Sequence, residues 1–435
     1  MGSSVNRLAF LGLLLVVVLT SPGLAARPAS DEGPPRIPPL SSSNKKALLA
    51  LFERYFDATE NDRPAILEEV RKFDPIPASA VRDLSRRLFK RAAKGLRTQG
   101  KTERVLDHPD YRGTFLIHGA KGGREKGLFI GLHGGGAGSG DGAIAAQKWQ
   151  AAQSKDCICV FPTVIKKEGS AWNKEREERY VLAIIEAVKR TYRVDTNRIY
   201  LAGHSMGGFG TWSIGGHQAD LFAAISPNAG GLFTTRTTAG EVIGVARGVL
   251  PNLFNTPVYF THGADDPRVP PGPDRTAKKI LGELSEEHPE GYVHEYHEYP
   301  NIGHGLPPKG TIPIIKWLTS RRRIPYPKKV VWEPVLGWKR TFYWLRLENP
   351  AGAGRLVAVN LGDNRFDVTT SSPVRGLSLF LNEKMVDFKK PVTVTRNGEA
   401  AFSGYVTLSA AALLESIAER NDRKMYFTVR IDLPD

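Results

Sequence analysis

The sequence predicts an α/β fold for its central half, a mostly parallel sheet covered by helices on both faces, because strand and helix patterns alternate from about residue 101 to 325. Short, continuous apolar runs such as Leu128-Phe129-Ile130-Gly131-Leu132 and Arg198-Ile199-Tyr200-Leu201-Ala202 suit strands buried on both sides. Residues 174–193 read as an amphipathic helix whose apolar stripe is Val181, Ala183, Ile184, Ile185 and Val188. A last helix is expected over residues 312–319, stopped by Ile324-Pro325-Tyr326-Pro327.

The flanks differ in style. Arg7 precedes a twelve-residue apolar core, residues 8–19, then Thr20-Ser21-Pro22 breaks the helix and Gly23-Leu24-Ala25 supplies small residues for cleavage. Residues 1–25 are therefore expected to be a secretory signal, and the mature chain to be periplasmic or secreted. The core is too short to span a bilayer comfortably, and no second apolar stretch of membrane length follows. Residues 26–43, rich in Pro and Ser, read as a tether. Residues 44–100 show helical spacing in Leu48, Leu49, Leu51, Phe52 and Phe56, in Ile66, Leu67 and Val70, and in Val81, Leu84 and Leu88. Residues 326–435 read as a small β-rich accessory domain, with strands expected over 341–347, 377–381 and 425–431 and one helix over 410–420.

Within the central region the loops after strands carry the chemistry. Residues 198–202 run directly into Gly203-His204-Ser205-Met206-Gly207-Gly208, a tight strand-to-helix turn with a hydroxyl at its tip. Glycines two residues either side of the serine are needed because a Cβ there would collide with the neighbouring strand or helix. The run 128–132 ends in His133-Gly134-Gly135-Gly136, a loop stripped of side chains whose backbone N–H groups are free to point at a ligand oxygen. Pro257-Val258-Tyr259-Phe260-Thr261 leads to His262-Gly263-Ala264-Asp265-Asp266, which places two carboxylates after a strand. Residues 293–300 alternate with period two and deliver His304 between Gly303 and Gly305.

These segments resemble the α/β-hydrolase superfamily over roughly residues 105–322, and within it secreted bacterial carboxylesterases related to the polyhydroxybutyrate depolymerase and feruloyl esterase group. The echoes are residues 133–136, Trp172-Asn173, residues 194–212 and the Gly263-x-x-Asp266-x-x-Val269-Pro270 segment. The Ser-Met-Gly-Gly-Phe-Gly-Thr-Trp run also resembles predicted peptidases of the prolyl oligopeptidase type, so a serine peptidase is one alternative. A noncatalytic envelope- or glycan-binding protein on a hydrolase scaffold is another, against which the complete set of serine, aspartate, histidine and oxyanion glycines argues. The resemblance implies Ser205 as nucleophile, His304 as general base and acid, and Asp266 as the orienting carboxylate, since Asp266 rather than Asp265 has the family spacing. It implies oxyanion donors in the backbone N–H of Met206 and of Gly135 or Gly136, and a small-molecule or polysaccharide-linked ester as substrate. His133 is expected to orient the oxyanion loop and His204 to pack beside the elbow. Trp149, Trp172 and Trp212 are read either as pocket walls or as core.

Other chemistries fit less well. The glycine run from 134 to 142 lacks the spacing of a phosphate-cradling loop, so no cofactor is expected. His294 and His297 lie three apart on a strand and face opposite ways, so no metal site is expected. Cys157 and Cys159 share a strand and read as reduced core residues. The net charge of +15, one less once Arg7 is removed, gathers in Arg86, Arg87, Lys90, Arg91, Lys94 and Arg97 and in Arg321-Arg322-Arg323 with Lys328-Lys329. Such runs usually mark solvated faces; the alternative is attraction to an anionic envelope surface or polyanionic substrate. Nucleic acid is not expected as a partner of an exported chain without a binding motif, and the sequence carries no signal for an oligomeric state.

Overall fold

The computed structural model describes residues 36–90, 96–135, 139–166, 169, 171–236, 238 and 242–435. The expected signal segment, the first part of the tether and Gly136 lie outside these. Three helices come first: α1 (Ser42–Asp57), α2 (Arg63–Arg71) and α3 (Ala78–Leu88). Helix α1 starts inside the expected tether because Ser41 Oγ caps it, accepting the Asn44 N–H at 3.1 Å. The apolar sides of these helices, including Leu48, Phe52, Val70 and Leu84, close on Leu413, Leu414 and Ile417 of the helix Ala410–Arg420 from the far end of the chain. Asp74 strengthens this junction by accepting from Ser409 Oγ and from the Ala410 N–H at the start of that helix.

The central sheet of the described residues has nine strands. They are β1 (Leu96–Gln99), β2 (Glu103–His108), β3 (Tyr111–His118), β4 (Lys126–Leu132), β5 (Cys157–Pro162), β6 (Val194–His204) and β7 (Ala224–Asn228). After a separate antiparallel pair, β8 (Thr234–Arg236) and β9 (Val242–Val245), come β10 (Val258–Gly263) and β11 (His294–Tyr299). The order is β1-β2-β3-β5-β4-β6-β7-β10-β11, parallel from β5 to β11 and antiparallel from β1 to β5. Strand β1 belongs to this sheet although it precedes residue 101.

Side chains alternate across the sheet. Leu128, Ile130, Ile158, Val160, Ile199 and Leu201 face one core with helices α5 (Glu175–Thr191), α6 (Met206–His217) and α7 (Gly272–Glu287). Phe129, Cys157, Cys159, Phe161 and Tyr200 face another with α4 (Gly142–Lys148) and α8 (Ile312–Thr319). Both cysteines are free, and burial pushes the Cys157 thiol up to about 11 and Cys159 further. The parallel strands all deliver their carboxyl ends to one edge, where the loops after β4, β6, β10 and β11 meet.

The C-terminal part holds β12 (Lys329–Trp332), β13 (Thr341–Phe342), β14 (Leu345–Leu347), β15 (Leu356–Gly362), β16 (Arg365–Thr370), β17 (Leu377–Leu381), β18 (Val392–Arg396), β19 (Glu399–Gly404), helix α9 (Ala410–Arg420) and β20 (Val429–Asp432). They form sheets in the orders β12-β15-β16-β18-β19 and β13-β14-β17-β20. The strand expected over 341–347 is instead a tight hairpin, because Tyr343 adopts a φ of 49° and Phe342 pairs with Leu345. The strand expected over 425–431 begins only at Val429: the Met425 N–H goes to Asp422 and the Phe427 N–H to Ser416 Oγ, so the buried apolar alternation there is not a ladder.

Part of the basic run 321–323 departs from a solvated face. Arg323 is buried and pairs with Asp422 at 2.6 Å, whose other oxygen accepts from Thr196 Oγ1, and Asp220 meets Lys339 and Arg420. Burial opposes the charge on Asp220, and the two cations outweigh it and hold the carboxyl down to about 2. These pairs lock the C-terminal sheets to the central one. Truncating Phe52 to Ala opens the core that α1 shares with α9 and is expected to cost about 3–5 kcal/mol in chemical unfolding. Hydrogen exchange should then accelerate in α9 as well as in α1; unchanged protection of α9 would contradict the shared core.

Candidate active site

Ser205 stands between β6 and α6 with a φ of 60° and a ψ of −122°, a conformation an L side chain rarely adopts. The close packing around it explains the glycines. A Cβ on Gly203 would come within 2.1 Å of the Gly207 carbonyl oxygen, and one on Gly207 within 2.5 Å of the Leu132 oxygen. The Ser205 N–H donates to the Asn228 carbonyl at 2.9 Å, and Asn228 Nδ2 donates to the Gly203 carbonyl, so the end of β7 clamps the turn.

Three expected residues come together at this edge. His304 Nε2 lies 2.8 Å from Ser205 Oγ, and His304 Nδ1 lies 2.6 Å from Asp266 Oδ2. Asp265 points elsewhere, accepting the Gly303 N–H at 3.1 Å. The other oxygen of Asp266 accepts the N–H groups of Arg268 and Val269 at 2.9 and 3.0 Å. Burial works against ionisation of Asp266; the two amides and His304 outweigh it and hold the carboxyl below its ordinary value.

The loop after β4 packs against the same turn. A Cβ on Gly134 would meet the His204 carbonyl oxygen at 2.8 Å and Ser205 Cβ at 3.1 Å, and Gly135 has a φ of 93° that suits glycine. His133 fixes the loop: its Nε2 accepts the Val164 N–H, so Nδ1 carries the proton and donates to the Gly134 carbonyl. Trp172 Nε1 donates to the His133 carbonyl. Met206 opens α6, so its N–H has no intrahelical acceptor. Gly136 lies outside the described residues.

His204 sits beside the elbow with its ring 5.0 Å from that of His304. Lys148 Nζ donates to His204 Nδ1 at 3.0 Å, which leaves Nε2–H to donate to the Gly305 carbonyl. Burial, helped by the charge of Lys148, pushes His204 down to about 3, so this ring is neutral. Among the tryptophans, Trp149 and Trp172 are core. Trp212 lines a cavity of about 250 Å3 together with Asn173, Phe209, Leu232, Phe233 and Val249 along α6, while its Nε1 donates to Asp274. Among the described residues no group of three or more His, Cys, Asp or Glu is arranged to hold a metal ion, and no helix is long and apolar enough to cross a membrane.

The strand order, with β5 outside β4, and a strained serine between a central strand and its helix decide the architecture. The chain has the α/β-hydrolase fold. Residues 166–243 match the model of the prolyl oligopeptidase family. Over 120 residues, 26% of this chain, it is 30% identical to the bifunctional acetylxylan esterase/xylanase XynS20E of Neocallimastix patriciarum, and the match spans 15% of that protein's length. Among solved structures, a thermostable esterase is 25% identical over 53% of this chain and 64% of its own, with a TM-score of 0.40. The ferulic acid esterase AmCE1/Fae1A of Anaeromyces mucronatus is 15% identical over 53% of this chain and 92% of its own, with a TM-score of 0.35.

Sequence reasoning missed Asn228, Lys148, His262 and Asp274. Asn228 had a signal, a polar residue ending an apolar strand at the sheet's carboxyl edge before Ala229-Gly230-Gly231; the others become visible only once distant elements pack. The depressed His204 yields a stability prediction. The folded chain binds fewer protons at this ring than the unfolded chain between about pH 3 and 6.5, so its stability is lost as pH falls through that window, by up to about 1.4 kcal/mol per pH unit. Equilibrium unfolding of His204→Gln should show a flatter pH dependence there; an unchanged slope would contradict the assignment.

Proposed function

We propose that the chain is an exported serine hydrolase that cleaves carboxylic esters through an acyl-enzyme intermediate. The observation that carries this reading is His304 bridging Ser205 Oγ at 2.8 Å and Asp266 at 2.6 Å. A serine hydroxyl attacks a carbonyl only as its proton leaves, and an imidazole with a reference pKa of about 6.5 takes and returns that proton near neutrality. Asp266 fixes the tautomer that presents Nε2 to the serine and stabilises the imidazolium as it forms.

In the first half-reaction Ser205 Oγ attacks the ester carbonyl while His304 takes its proton. The tetrahedral oxyanion accepts from the N–H of Met206 and of Gly135 or Gly136, and collapse expels the alcohol, protonated by His304. Water then repeats the sequence on the acyl-serine, with His304 as base, releasing the acid and restoring Ser205. The named relatives, an acetylxylan esterase/xylanase and esterases, support an ester, small or linked to polysaccharide, as the substrate. The signal-like residues 1–25 support export.

A second reading, a serine peptidase using the same residues, is favoured by the match of residues 166–243 to the prolyl oligopeptidase family. Rates on p-nitrophenyl acetate and methyl ferulate against aminoacyl nitroanilides separate the two, and cleavage of esters alone is the expected result. Ser205→Ala should lower ester turnover by about 10⁴-fold or more with unchanged unfolding behaviour. Turnover retained by that variant would overturn the mechanism.

A further inference from the structure

Behind Asp266 a second histidine completes a buried chain of charge. His262 closes β10 with a fully buried side chain, and both of its ring nitrogens face acceptors. Nδ1 is 2.7 Å from Asp274 Oδ2, and Nε2 is 2.8 Å from the Val269 carbonyl and 3.4 Å from Asp266 Oδ2. A carbonyl opposite Nε2 requires a proton on that nitrogen, and a carboxylate oxygen at 2.7 Å from Nδ1 requires a second proton between them. The other oxygen of Asp274 accepts Trp212 Nε1–H at 2.9 Å, a bond that favours the ionised carboxylate and leaves both protons on the ring.

We infer that His262 is a positioning residue for the proposed Ser205–His304–Asp266 relay, held as an imidazolium between Asp274 and the Val269 carbonyl so that it closes the Asp266 turn and offsets its charge. The inference rests on the proposed serine hydrolase reading. The turn is doubly tied: Asp266 Oδ1 accepts the N–H groups of Arg268 and Val269, and His262 holds the carbonyl of the same Val269. With a neutral His262 and both carboxylates ionised, Asp266 and Asp274 would carry a joint charge of −2 behind His304. With the imidazolium the three groups carry −1, which a protonated His304 neutralises at the moment Ser205 attacks.

The pair's environment agrees in direction. Burial works against a charge on His262, yet its bond to Asp274 outweighs this and raises the ring, while burial raises Asp274, so both groups hold protons more tightly. The titratable and charged groups facing His262 are Asp274 from α7, Asp266 from the loop after β10 and Glu298 from β11, with His304 on the far side of Asp266 Oδ2. Glu298 is held down to about 2 by Arg275, with Tyr296 Oη–H as a further donor to it. None of them removes the need for two protons on the pair.

Two measurements on the full chain test the inference. In nitrogen-edited NMR of the histidine-labelled protein, His262 should keep both ring N–H protons at a pH above the reference value for histidine. Asp274→Asn should lose one of them, and a single ring proton on wild-type His262 near neutrality would overturn the proposal. In ester hydrolysis, His262→Gln removes a positive charge near His304, so the acid limb of kcat/KM should move about one unit to higher pH, a ten-fold change in proton affinity, with kcat lowered and KM little changed. Asp274→Asn, which removes one negative charge together with one ring proton, should move the limb less than His262→Gln does. A residue that only packs would alter stability and leave the limb in place, and a folded His262→Gln with an unshifted limb would overturn the proposal. Absence of hydrolysis by the wild type would overturn the underlying reading instead, and the ring-proton measurement separates the two failures because it needs no turnover.

Discussion

The positive φ of Ser205 is the constraint on which the rest of the site depends. An L residue held at 60° is strained, and the turn persists only because its surroundings leave no room for another path. The ends of β4, β6 and β7 press so closely on it that Cβ atoms at positions 203, 207 and 134 would overlap backbone. The same proximity sets the loop after β4 against the turn at Ser205. Strain and glycine content are thus one fact seen two ways, and both follow from packing parallel strands edge to edge.

Around that turn the structure separates charged from neutral groups by burial and by partner. His204, beside the elbow, is kept neutral by desolvation and Lys148. Asp266 is kept ionised by two backbone amides and a histidine, and behind it Asp274 pairs with the His262 ring. Imidazoles of the same chemistry therefore take different protonation states within one short span of the sheet edge.

Much of this was legible in the sequence because the governing signals are local. A serine in a glycine-bounded turn after an apolar strand, and a histidine between glycines after another, carry their geometry with them, and helices such as Ile312–Thr319 and Ala410–Arg420 announce themselves by periodicity. What escaped depends on distant partners. Residues 341–347 alternate like a strand, yet Tyr343 turns back because Phe342 finds Leu345 across a hairpin. Met425 and Phe427 are apolar and buried, but their amides are taken by Asp422 and Ser416. Arg323 reads as part of a solvated basic run until Asp422, 99 residues on, is seen to neutralise it. The association of α1 with α9 likewise joins opposite ends of the chain, for which no short-range pattern exists.

The proposed hydrolysis requires the oxygen of Ser205 to be an activated nucleophile. A fluorophosphonate, which reacts with serines whose proton has a ready acceptor, tests it most directly when the adduct is located by peptide mass spectrometry. The expected result is a single stoichiometric adduct on Ser205, absent when the protein is unfolded and slowed when Asp266 is replaced by Asn. No adduct on the folded chain, or one on another serine, would contradict it.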